Sequence, residues 1–113
     1  MIDDPDDLRR AAALGDGLGP LIEAAWRETD RRLSAWPEEA GADAVHAMLA
    51  SIERQLRFMA GIVASGAPPT VEQVNSLTLG VIAVREFEAD DLVYCDLLCE
   101  AAFRFKALAA GSV

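Results

Sequence analysis

Apolar side chains recur along most of this chain at spacings of three and four, the period of helices with one buried face. From about Pro20 to Ala35, Leu21, Ile22, Ala25, Trp26, Thr29 and Leu33 line one side. Trp36-Pro37 ends that run, because a residue before proline avoids the α region. From about Ala42 to Ser65 the stripe is Val45, Met48, Leu49, Ile52, Leu56, Met59, Ile62 and Val63, stopped by Gly66 and Pro68-Pro69. Thr70 and Gln73 stand at capping-box spacing. Val71, Val74, Leu77, Val81 and Ile82 then continue the helical period as one further element. The stretch LTLGVIAVREFE, residues 77–88, is two-faced, because Leu77, Leu79, Val81 and Ala83 also alternate as a strand would. The cap, the upstream stripe and the want of a strand partner decide for helix. Gly80 then costs ~1 kcal/mol relative to alanine and suits a place where another helix comes close.

The last element, from about Asp90 to Ala110, is apolar on most sides through Leu92, Val93, Leu97, Leu98, Phe103, Phe105 and Leu108, which predicts a central helix. At the other end, Asp4 can cap, Pro5 suits a first helical position, and Asp6 and Asp7 favour the positive end of the helix dipole. A short helix over "LRRAAAL" follows and closes at Gly15 to Gly19. Glu23–Arg27, Glu28–Arg32, Glu53–Arg57 and Glu100–Arg104 are pairs four apart in the favourable order. The expected fold is all-α: a small bundle of four main helices plus a short N-terminal one. Residues 1–18 read as an acidic extension and 19–113 as the helical domain.

Composition narrows the function. Over 113 residues the formal net charge is −9, which argues against nucleic acid and against an anionic membrane surface. The acidic N-terminus has no apolar core of a signal peptide, and no stretch approaches the ~20 apolar residues of a membrane span. A cytoplasmic protein is expected, with Cys95 and Cys99 reduced and buried, since a disulfide within one helical turn is geometrically awkward.

Candidate chemistry is sparse. The single histidine, His46, follows Asp43 by three, too little for a di-metal carboxylate bundle. Two cysteines are too few for a structural zinc. A Cys–His nucleophile would require His46 to meet Cys95 or Cys99 in space. No phosphate-cradling glycine loop and no Gly-x-Ser-x-Gly elbow occurs. Neither an enzyme, a metal nor a cofactor is expected. What stands out is charge segregation. Glu86, Glu88, Asp90, Asp91, Asp96 and Glu100 are six acids in fifteen residues without a Lys or Arg among them, interleaved with Phe87 and Tyr94. This is either a solvated face near a helix turn or an acidic docking patch with aromatic anchors.

The stretch SLTLGVIAVREFE, preceded by DRRLSAWP and IERQLRFM, resembles the small helical immunity proteins of interbacterial toxin systems, in particular those paired with type VI secretion NAD(P)+ glycohydrolase effectors. The positions that match are Leu77 to Phe87, then Asp30 with Leu33 and Trp36-Pro37, then Glu53, Gln55 and Leu56. About twenty N-terminal residues have no counterpart, and the last helix keeps the pattern loosely. The resemblance implies a binding protein that covers the active site of one toxin domain, one to one. Glu86, Glu88, Asp90, Asp91 and Tyr94, with Arg57 apart from them, are the expected contact residues. The packing seam of the bundle is an equally concrete reading of Leu77 to Val84 and Gly80. A helical adaptor without a toxin partner is the alternative function, and a homodimer of the free chain stays open.

Overall fold

The computed structural model of the chain describes residues 17–37 and 43–109. Helix α1 spans Leu18–Ser34, α2 Ala44–Ser65, α3 Val71–Asn75, α4 Leu79–Phe87 and α5 Leu92–Ala109. The fold is an all-α bundle, as the spacing of apolar residues implies. The expected N-terminal helix and the far ends of the chain lie outside the described residues.

Each boundary has a local cause. The Asp43 carboxylate accepts the backbone N–H of Val45 and His46, which caps α2 and satisfies two otherwise orphaned donors. The Asp43–His46 spacing therefore serves a helix start. At the far end Gly66 takes φ 79°, the left-handed geometry that favours glycine. The Thr70–Gln73 capping box opens α3, with both reciprocal hydrogen bonds formed.

The stretch expected as one helix from Thr70 onward is two. Ser76 Oγ donates to the Gln73 carbonyl at 2.7 Å, and Leu77 N donates to the Val74 carbonyl, three residues back. At Thr78 the Gln55 side chain takes over: its carbonyl accepts the Thr78 N–H and its amide donates to Thr78 Oγ1, both at 2.9 Å. With the Thr78 amide claimed by α2, the helical ladder breaks. It restarts where Ile82 N donates to the Thr78 carbonyl.

Helices α1 and α2 form one hairpin and α4 and α5 another, and α1 packs against α5 to join them. The shared core includes Leu21, Ile22, Ile52, Leu56, Met59, Leu79, Leu98 and Phe105, all nearly inaccessible to solvent. Each such side chain contributes roughly 1.5–3 kcal/mol through the apolar surface it buries. A central position for α5 holds on one side only. Tyr94, Leu98, Ala101 and Phe105 face the core, whereas Leu92, Val93 and Phe103 are exposed. Helices α1 and α4, with a smaller contact from α3, pack against α5, and the side that bears Leu92, Val93 and Phe103 stays exposed.

Candidate partner-binding surface

Where α1 meets α5, one cation organises several side chains. Arg32 Nε donates to Glu28 at 2.7 Å, and its terminal nitrogen reaches across to Asp91. The guanidinium carbon lies 3.9 Å from the centroid of the Tyr94 ring and 5.8 Å from that of Phe87. Phe87 meets Tyr94 edge-on at 4.8 Å. The Tyr94 hydroxyl lies 2.5 Å from Thr29 Oγ1, and Thr29 donates its own proton to the Ala25 carbonyl at 2.8 Å. A hydroxyl has one proton, so Tyr94 is the donor of the pair.

Electrostatics follow this geometry. Partial burial pushes the Glu28 carboxyl up, but hydrogen bonds from Arg31 and Arg32 outweigh it and hold it below its ordinary value. For Asp91 burial likewise acts upward, and the Arg32 and Tyr94 N–H hydrogen bonds bring it down. Burial raises the Tyr94 phenol, which stays protonated at neutral pH. The groups are partly exposed, so the clamp is worth about 1 kcal/mol per charged contact at most.

This cluster redraws the acidic stretch. Asp91 is paired with Arg32 and accepts the Tyr94 N–H at 3.3 Å, at the start of α5. Tyr94 is 1% exposed, so its ring lies within the bundle. Glu86 pairs with Arg85 at 2.8 Å and Glu100 with Arg104 at 2.8 Å. Glu88 and Asp90 are exposed in the α4–α5 turn and, among the described residues, form no ion pair. Arg57 pairs with Glu53 at 2.9 Å beside the Trp26 ring, on the α1–α2 hairpin. It joins none of these acids.

The Glu28–Arg32 pair was legible in the sequence, but the second partner of Arg32, Asp91, lies 59 positions away and was not. It also missed Phe103, 69% exposed, because the last helix read as apolar all round. Asp96, on the same side of α5 as Leu92 and Phe103, was the available sign of an outward face.

The other chemistry candidates are accounted for locally. The His46 ring meets Trp36 edge-on at 5.5 Å. The Cys95 and Cys99 sulfurs are 4.0 Å apart and not bonded. Burial, with Cys95 beside it, pushes the Cys99 thiol up to about 11, which leaves little thiolate at neutral pH. Among the described residues no three His, Cys, Asp or Glu side chains converge as a metal-holding group. No helix among them is long and apolar enough to cross a membrane.

The three motifs that carry the sequence resemblance touch one another here. Gln55 holds Thr78, Leu79 and Leu56 are core residues, Trp36 meets the first turn of α2, and Phe87 completes the Arg32–Tyr94 stack. A family model, Tsi6, matches residues 18–107, which takes in every described helix but for the last two residues of α5. The chain belongs to the Tsi6 family. Tsi6 proteins are type VI secretion immunity proteins, whose task is to bind a toxin effector. No curated protein and no solved structure matches the chain.

Proposed function

We propose that this Tsi6-family protein binds a cognate toxin domain that acts in the cytosol, an NAD(P)+ glycohydrolase or a related nucleotide-using toxin. In this reading it covers the toxin's active site one to one. The observation that carries the proposal is the family match over residues 18–107. The surface chemistry suits it. A site that binds nucleotide phosphates is rich in cations, and Glu88 and Asp90 present carboxylates at one exposed turn, with Glu86 in the last turn of α4 before it. Complementary charge speeds encounter, which matters when unbound toxin is lethal. Asp91 and Tyr94 act behind that turn by fixing the start of α5 on α1. Arg57, on the other hairpin, would reach only a second part of the toxin.

Co-expression of the chain with the toxin domain encoded beside its gene tests the proposal. Growth and the NAD(P)+ pool are expected to recover fully. Continued growth arrest and NAD(P)+ loss, with the chain present in soluble form, would refute it.

A further inference from the structure

The α4–α5 hairpin carries an apolar face that no part of the described chain covers. Its register is set at both ends. A Cβ on Gly80 would stand 3.7 Å from the Ala102 Cβ, and Cys99 Sγ lies 4.0 Å from the Gly80 carbonyl. Near the turn, Phe87 meets Tyr94. The two helices therefore run antiparallel, with residue 80 beside 99 and 102. On α4, Leu79, Ile82 and Ala83 turn inward, which leaves Val81, Val84 and Glu88 outward at spacings of three and four. On α5, Tyr94, Leu98, Ala101 and Phe105 turn inward, which leaves Leu92, Asp96 and Phe103 outward. Val81, Leu92 and Phe103 are 67%, 58% and 69% exposed, high values for side chains of this kind.

The face has two ends of different chemistry. Val81 and Phe103 lie toward the apolar end, remote from the turn, with Val84 between them and the turn. Glu88 and Asp90 flank Leu92 at the turn itself. A two-fold contact between copies would bring together two chains that each carry a net charge of −9 and the same acidic turn, so like charge would meet like. The complementary partner has an apolar hollow with lysines or arginines along one side. We infer that the outer face of the α4–α5 hairpin is the docking surface for the toxin domain, with Phe103 as its apolar anchor at one end and Glu88 and Asp90 as its charged rim at the other. This rests on the toxin-binding reading above, and it replaces Tyr94 with Phe103 as the aromatic contact.

The test measures binding of purified chain to the toxin domain encoded beside its gene, with Phe103→Asp, Val81→Asp and Glu88→Lys/Asp90→Lys compared with Phe58→Asp on α2. All the altered side chains are exposed, and helical circular dichroism and Tm check that each variant stays folded. Phe103→Asp and Val81→Asp are each expected to weaken binding by about 30-fold or more. The charge reversal is expected to slow association by about tenfold, with a flatter salt dependence. Folded Phe103→Asp and Val81→Asp that bind like wild type would overturn the inference, as would loss of affinity confined to Phe58→Asp. So would sedimentation showing a wild-type homodimer that Phe103→Asp dissociates while toxin binding is kept. A wild-type chain that fails to bind the toxin removes the toxin-binding reading itself, and the surface assignment with it.

Discussion

Tyr94→Phe removes one oxygen atom from the contact between α1 and α5. In the folded chain that hydroxyl donates to Thr29 Oγ1, and both residues are at most 1% exposed, so water cannot substitute. Thr29 keeps its own bond to the Ala25 carbonyl and loses only an incoming donor. The expected cost is thus toward the low end of the range for a buried hydrogen bond, about 1 kcal/mol. Thr29→Val is nearly isosteric but strands the Tyr94 hydroxyl as a buried donor, and should cost about 2 kcal/mol. The double variant strands neither group. It should be no less stable than Thr29→Val alone, which gives a coupling energy of about 1 kcal/mol. Urea unfolding followed by far-UV circular dichroism measures all three. For a chain of this size 1 kcal/mol corresponds to about 4 °C in Tm. Additive effects, or a Tyr94→Phe variant as stable as wild type, would refute the assignment of Tyr94 as a buried donor. Because the hydroxyl is internal, toxin affinity of the folded Tyr94→Phe chain should be unchanged.

Glu28 and Asp91 both have folded-state values below their unfolded ones, so their contribution is complete above the unfolded carboxylate range near pH 4 and fades as pH falls through the folded values. Asp91→Asn should accordingly be less stable than wild type at pH 7, by about 1 kcal/mol, with the difference closing on acidification below about pH 4; a pH-independent difference would contradict the pairing with Arg32. Asp43→Ala should lower stability by about 1 kcal/mol through the lost α2 cap, while chelators leave unfolding unchanged. Gly80→Ala should be neutral or slightly stabilising, since the added methyl meets Ala102 at ordinary contact distance in the first turn of α4. Alkylation of Cys99 by iodoacetamide should be slow at neutral pH and accelerate towards a pKa of about 11; fast labelling at pH 7 would contradict its environment.

Helical period was the strongest signal in the chain, and it placed α1, α2 and α5 to within about two residues. The four acid–base pairs at spacing four are all formed, because both partners lie on one helix and need no knowledge of the fold. What depended on distant chain was hidden. The break at Ser76–Thr78 is caused by Gln55, 23 positions away, and local preference alone favours an unbroken helix. Gly80 invited the expectation of a tight helix crossing, but its neighbour is the methyl of Ala102 at a relaxed distance. The acidic run looked unbalanced because the cation that meets Asp91 comes from α1. Aromatic residues near acids suggested a surface anchor, whereas burial sorts Tyr94 inward and Phe103 outward. That sorting follows from which side of α5 meets α1, a tertiary fact.

Titrating the chain into the purified toxin domain while NAD(P)+ consumption is followed tests whether it silences the toxin by sitting on the active site, as proposed above. Turnover is expected to fall linearly and reach zero at one equivalent of chain. Undiminished turnover in the presence of excess, stably bound chain would rule out occlusion of the active site.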